Sequence, residues 1–326
     1  MKARNGFFLV IVAMAVLGMA CSGSDDDSEQ DEYAFRMQTF VTDISIYARQ
    51  HNNTFIIIPQ NGIELVFNNT ERGEGIMTSY VNAIDGIGVE ELFFNGSLEP
   101  DGERLAMLRF LLPRVPRLKI MVSEFVSDNA KISDAIKRNK EEGFISFTRS
   151  SDNYDYKFIP SNITDENPDD VEVLSDAKNY LYLISTDNFS AKQEMINAVA
   201  ATNYDLVLID LFFKAGDDNL ETLNSSDICQ LKEKANGGKR LVIAYVSIGS
   251  AENFRYYWKP EWQKGNPSWI KKDYEGYGDE YWVEFWHSDW RRIIFGNDDS
   301  YIKKIIDAGF DGAYLDNVEA YFFLSE

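Results

Sequence analysis

The sequence predicts an α/β protein, a (β/α)8 TIM barrel. Three observations predict it. First, short β-rich runs recur along the chain from residue 55 onward, mostly separated by segments whose apolar residues have helical spacing. Second, no glycine-rich dinucleotide turn follows the first run, which disfavours an open doubly wound sheet. Third, most runs end in a carboxylate or an amide, as expected where strand C-termini ring one face of a barrel.

The N-terminus comes before any fold. Lys2 and Arg4 precede FFLVIVAMAVLGMA, an apolar run too short for a membrane span, so residues 1–20 read as a signal peptide. Gly18 and Ala20 ahead of Cys21 resemble the lipobox of bacterial lipoproteins. That resemblance implies cleavage before Cys21 and a lipid on its thiol, anchoring a secreted protein to the outer membrane, with cell-surface exposure a further expectation. Residues 21–32 are acidic and read as a solvated tether. Cys229 is then left without a partner for an intramolecular disulfide, so stability must come from a core. Residues 33–326 are long enough to form one α/β domain.

Taken in order, Phe40, Val41, Ile44, Tyr47 and Ala48 predict an amphipathic helix over 33–50. FIIIPQ at 55–60 is the first strand, closed by a Pro-Gln-Asn-Gly turn. The second is 84–94. Leu105, Leu108, Leu111 and Leu112 then mark a helix, and 118–126 is the third strand. Asp128 caps a helix holding Ile132, Ala135 and Ile136, which Gly143 stops. FISFTR is a short extra strand. Residues 150–178, rich in Asp, Asn, Ser and Pro, are aperiodic and read as a long surface connection. Strands resume at 180–185 and 204–210. Ser190 with Gln193 suggests a capping box between them, and a helix runs to Leu231. The strand at 240–249 precedes a Trp- and Tyr-rich loop. A strand at 281–286, a helix around Ile293, Ile302 and Ile305, and a last strand ending at Asp316 complete the alternation.

Composition excludes some functions. A net charge of −21 argues against nucleic acid, whose phosphates demand Lys and Arg. Two histidines far apart, His51 and His287, argue against catalytic zinc and against a Ser-His-Asp triad, and no Gly-x-Ser-x-Gly elbow is present. No cofactor or metal is therefore expected, although a carboxylate site for calcium or magnesium stays open. The carboxylates at strand ends are Glu90 or Glu91, Glu124, Asp210, Glu252, Glu284 and Asp316, while the strand at 55–60 ends in Gln60 and Asn61. Strand ends are often polar, but a whole ring of mutually repelling acids is tolerated mainly at functional sites. Paired carboxylates suit glycoside hydrolysis, in which an acid protonates the leaving oxygen opposite a second carboxylate. Trp258, Trp282 and Trp286 offer sugar-stacking faces, or core packing.

Several stretches carry a resemblance. YDLVLIDLF, VIAYVSIGSAENFRYYW, YWVEFWHSDW and GFDGAYLDNVEAY resemble the first half of glycoside hydrolase family 114 barrels, which are related to endo-α-1,4-polygalactosaminidases. FVTDISIYARQ, FIIIPQNGIELV, IDGIGVEELFFNG and GFISFTR resemble that family's second half. Here the second half precedes the first, so the chain resembles a circular permutant cut after the family's fifth strand, with 150–178 as the join. The resemblance implies a catalytic pair at Asp316 and Glu90. It implies substrate-binding positions at Asp210, Tyr245, Glu252 and Arg255, and we add Trp286, Gln60, Asn61 and Glu124 as site candidates. Ser250, Asn317, Glu319 and Glu124 depart from residues common in relatives, which bears on the substrate more than on the fold. The expected function is a secreted, lipid-anchored hydrolase of an amino-sugar-containing polysaccharide. A non-catalytic carbohydrate-binding lipoprotein and a structural lipoprotein with a cation site are the alternatives.

Overall fold

A computed structural model describes residues 26–214 and 220–325. The expected signal peptide and the lipidation site at Cys21 lie outside the described residues. Helix α1 (Asp26–His51) begins seven residues earlier than its apolar spacing predicts, so residues 26–32, expected as tether, are helical. Its apolar stripe of Met37, Phe40, Val41, Ile44 and Ala48 is fully buried.

Parallel strands follow in sequence: β1 (Ile56–Pro59), β2 (Gly86–Leu98), β3 (Lys119–Val126), β4 (Ile145–Arg149), β5 (Leu181–Leu183) and β6 (Leu206–Asp210). A small hairpin, β7 (Phe212–Phe213) with β8 (Glu221–Thr222), comes next, and then β9 (Leu241–Ser247). Three short strands, β10 (Ser250–Glu252), β11 (Ile270–Asp273) and β12 (Glu280–Val283), make a separate antiparallel sheet, and β13 (Gly312–Asp316) ends the set. Between them lie α2 (Thr78–Ala83), α3 (Gly102–Leu111), α4 (Ile132–Glu141), α5 (Lys192–Ala200), α6 (Ser225–Leu231), α7 (Ser288–Ile294), α8 (Tyr301–Ala308) and the terminal α9 (Ala320–Ser325).

The main sheet has the order β1-β13-β9-β6-β5, all parallel, and a second parallel sheet has the order β2-β3-β4. One parallel bridge, Gln60 to Gly88, joins them through β1 and β2. The first and last strands are thus neighbours: Ile56 pairs with Gly312 and Pro59 with Leu315. Strands β6 and β9 are buried at every position, as parallel strands covered on both faces require.

Two expectations are corrected. Residues 281–286 are not a member of the parallel set. They fall in and after β12, which pairs antiparallel with β10 and β11, and Glu284 faces Lys271 in a salt bridge away from any parallel strand end. The FISFTR segment, expected as an extra, is instead a full parallel partner of β3. The expected closed barrel is not shown either. Among the described residues no backbone ladder joins β4 to β5. Aromatic side chains bridge that gap, with the Phe147 ring 5.9 Å from Tyr180 and 6.4 Å from Tyr182. The fold is therefore mixed α/β with parallel sheets.

The connection at 150–178 is not only surface. Lys234 and Asp205, both fully buried, form an ion pair, and the Lys234 ammonium also donates to the carbonyls of Asn167 and Asp169. Asp205 accepts from the Lys178 amide as well. The aperiodic segment is thereby tied to the base of β6.

Candidate active site

Asp316 ends β13 and Glu90 lies on β2. Strand β1 lies between their strands, so the two backbones are about 10 Å apart by ordinary strand spacing. Side chains of one parity point to one face of each strand. On that face stand Gln60, Gly88, Glu90, Ser123, Phe147, Tyr182, Tyr245, Tyr314 and Asp316. Gly88 is needed there, because a Cβ on it would lie 1.8 Å from the Tyr314 hydroxyl oxygen. Tyr314 thus crosses β1 to fill the space beneath the acids.

Each of the three central strand ends turns in the same way. The residue after Gln60, Asn61, has φ 59°; the residue after Glu90, Glu91, has φ 54°; the residue after Asp316, Asn317, has φ 61°. Asparagine adopts this left-handed region readily, whereas Glu91 carries strain of about 1 kcal/mol or more there, which proteins retain mainly at functional sites.

Asp316 is held by two donors. The Tyr245 hydroxyl donates to Oδ2 at 2.5 Å and the Asn317 amide to Oδ1 at 2.7 Å. Burial, and then the negative charge of Glu90, push its pKa from 3.8 to about 7, although those two donors oppose the rise. Glu90 is held as firmly. Tyr156 donates to Oε1 at 2.7 Å, Asn61 Nδ2 to Oε2 at 3.3 Å, and the Glu90 amide donates back to Asn61 Oδ1 at 3.1 Å. Arg104 on α3 donates to the carbonyls of Glu90 and Glu91 and so fixes this backbone.

Two networks flank the pair. Arg255, 2% exposed in its side chain, lies between Asp210 at 2.6 Å and Glu252 at 2.6 Å. Burial opposes its charge, but the two carboxylates outweigh that and hold it protonated. On the other side Asn317 Nδ2 donates to Ser247, Ser250 and Glu280. Burial, then the charge of Glu252, push Glu280 well above the usual carboxylate range, and Asp316 adds to this. Glu319 lies near Glu90 and is pushed up to about 8, chiefly by burial and then by Glu64.

The candidates from sequence divide accordingly. Asp316, Glu90, Tyr245 and Asn61 come together. Gln60 is buried beneath them and accepts from the Tyr182 hydroxyl at 3.1 Å. Asp210, Glu252 and Arg255 form the adjoining ion-pair network. Glu124 does not join the site. It is fully buried, and its carboxylate accepts from the amides of Phe93 and Phe94 and from Asn139, which clamps the irregular stretch of β2 after Glu90. Trp286 is also elsewhere: its ring lies 4.5 Å from Tyr33 and under the Arg36 guanidinium, both on α1. Trp282 is 4% exposed and sandwiched between Tyr274 and Phe323, and Trp258 stacks on Tyr281. His51 ends α1, and His287 caps α7 through Nδ1.

Sequence reasoning missed Tyr156, Tyr154, Arg149 and Glu280, and named Glu319 only as a departure from residues common in relatives. Tyr156, in the aperiodic connection, stacks on Tyr182 at 3.7 Å and bonds Glu90, while Tyr154 and Arg149 hold Glu91. Aperiodic segments carry no local signal for such contacts. Glu280 had one, because it lies at the start of a β-rich run beside the Trp-rich loop.

Residues 167–326 match the family model of glycoside-hydrolase family GH114. An uncharacterized protein of Methanocaldococcus jannaschii is 37% identical over 131 residues, covering 40% of this chain and 35% of that protein. An uncharacterized protein of Thermotoga maritima is 30% identical over 123 residues, covering 38% of this chain and 35% of that protein. One of Deinococcus radiodurans is 31% identical over 129 residues, covering 40% and 38%. The chain thus spans little more than a third of the length of these curated relatives.

Proposed function

The C-terminal half of this chain, residues 167–326, belongs to glycoside-hydrolase family GH114, and from that premise we propose that the protein hydrolyses glycosidic bonds in an amino-sugar-containing polysaccharide. Asp316 and Glu90 are the catalytic pair. The observation that carries this reading is the raised proton affinity of Asp316, caused by burial and by the Glu90 charge across β1. Glycoside cleavage needs one carboxyl that keeps its proton near neutral pH beside a second carboxylate. Asp316 acts as the acid that protonates the leaving oxygen, and Glu90 acts from the other side of the sugar as nucleophile or base. Tyr245, Tyr156 and Asn61 fix the two carboxyls, so that little reorganisation is needed at the reacting bond.

We further read the parallel strands as the family's TIM barrel in circularly permuted order. The adjacency of β1 and β13 and the rings packed between β4 and β5 support this. The 150–178 connection is then the join, and it supplies Tyr156 to the pair. Lipid anchoring through Cys21 at the outer membrane rests on the sequence pattern alone.

The test is hydrolysis of a polysaccharide panel that includes α-1,4-polygalactosamine, with Asp316→Asn and Glu90→Gln as controls. Wild-type cleavage that both variants lose supports the assignment. Cleavage that survives either substitution at near-wild-type rate overturns it. The anomer released, followed by NMR, then decides between retention and inversion.

A further inference from the structure

The hairpin between β11 and β12 carries Tyr277, whose side chain is 41% exposed. The ring is not loose. It stands edge-on to Tyr274, with centroids 5.5 Å apart and planes at 87°. Tyr274 lies flat on Trp282 at 4.2 Å, and Trp282 lies flat on Phe323 of α9 at 4.6 Å. The Tyr277 backbone is also tied in, since its amide donates to Tyr274 and its carbonyl accepts from Glu280. The Tyr274 hydroxyl donates to Asn317 Oδ1 at 3.2 Å, and the Asn317 amide donates to Asp316. A continuous set of packed rings and hydrogen bonds therefore fixes an exposed aromatic face relative to the proposed acid. Burial and then the charges of Glu90, Glu280 and Asp316 raise the Tyr277 hydroxyl to about 12.

A single exposed tyrosine is ordinary. What distinguishes this one is the buttress behind it. Among the described residues, the other well-exposed Phe and Tyr rings, Phe35 and Phe158, lie on α1 and in the 150–178 connection. Tyrosine has few rotors, so a held ring offers contact area at low entropic cost. The three indoles that the sequence suggested as sugar faces pack against other rings: Trp282 within the buttress, Trp286 against α1 and Trp258 on Tyr281.

We propose that Tyr277 is the stacking platform of a sugar subsite, its exposed face taking the C–H face of an amino-sugar pyranose held beside Asp316 and Glu90. This deepens the hydrolase reading and rests on it for the identity of the sugar. The carboxylates around the ring favour a sugar carrying an ammonium group, which the ring face also attracts.

The test uses the full chain and a galactosamine oligosaccharide. Binding is measured by calorimetry in the Asp316→Asn background, so that nothing is cleaved, and kcat and KM are measured in the active background. Tyr277→Ala should weaken binding roughly tenfold, about 1.4 kcal/mol, and lower kcat/KM by a similar factor, mainly through KM. Tyr277→Phe keeps the ring and should restore most of the loss. Binding within twofold of the parent in Tyr277→Ala, or a Tyr277→Phe as weak as Tyr277→Ala, overturns the platform. A chain that binds the oligosaccharide through Tyr277 without ever cleaving it overturns the hydrolase reading and leaves the platform standing. A chain that does not bind it overturns both.

Discussion

Asp316 should cost the folded protein stability at alkaline pH, and Asp316→Asn should recover it. Its pKa rises on folding from 3.8 to about 7. The folded state therefore binds the proton more tightly than the unfolded state does. Wild-type stability from this group is fully present below pH 3.8 and is lost as pH rises through about 7. At about 1.4 kcal/mol per pH unit, the cost above neutral pH is about 4 kcal/mol. Asparagine is neutral at every pH and removes that cost. It also gives up charge-assisted bonds. Its oxygen can still accept from the Asn317 amide, while its NH2 must donate to a Tyr245 hydroxyl that has turned round. That exchange costs about 1–2 kcal/mol. The net gain at pH 8 is about 2–3 kcal/mol, or roughly 5 °C in Tm for a domain of this size. At pH 4 wild-type Asp316 is itself mostly protonated, so the gain should shrink to nothing or reverse. Calorimetric melting of both proteins at the two pH values reads this directly, and activity should be absent in the variant. A variant less stable than wild type at pH 8, or a Tm difference that ignores pH, would refute the account of Asp316.

Three further outcomes follow from buried groups. Glu319→Gln should raise Tm at pH 9 but not at pH 4, because Glu319 is pushed up from 4.5 to about 8 and its cost builds as pH rises between those values and is complete above the second; equal melting curves at pH 9 would count against its burial. Glu124→Ala should lose about 2–4 kcal/mol in urea unfolding, since it strands the amides of Phe93 and Phe94 and the Asn139 side chain without an acceptor; a loss under about 1 kcal/mol would mean water replaces it. Lys234→Met should cost about 3–5 kcal/mol by leaving Asp205 charged and unpaired in the interior, and it should release the 167–169 segment to proteolysis.

Much of the candidate site was legible because its strands are local signals. The run LVLID ends at Asp210 and AYLD at Asp316, and a parallel strand buried on both faces must be a short apolar run whose first polar residue marks its exit from the sheet. Arg255 was legible only through the family resemblance, and the structure pairs it with Glu252 three residues earlier. Trp286 and Glu124 show where the method fails. A tryptophan next to a strand looks alike from sequence whether it faces a sugar or a helix, and the helix that covers Trp286 lies some 250 residues away in sequence, at Tyr33 and Arg36. A glutamate on a strand looks like a site acid until two amides of the strand beside it and a side chain of the helix that follows prove to need it as acceptor.

By itself, then, the sequence determined the parallel α/β character, the acids at the strand ends and the likeness of residues 167–326 to the family. Each is written in residues close together along the chain, through apolar periodicity, turn chemistry and short motifs. Tertiary structure alone decided that β1 lies between β2 and β13, that 281–286 leaves the parallel set while FISFTR joins it, and that Tyr156 of an aperiodic segment grips Glu90. It alone decided that the proton affinity of Asp316 is raised. Proton affinity depends on burial and on charges brought near by the fold, and the Glu90 charge bears on Asp316 because two strands far apart in sequence share β1 as a neighbour.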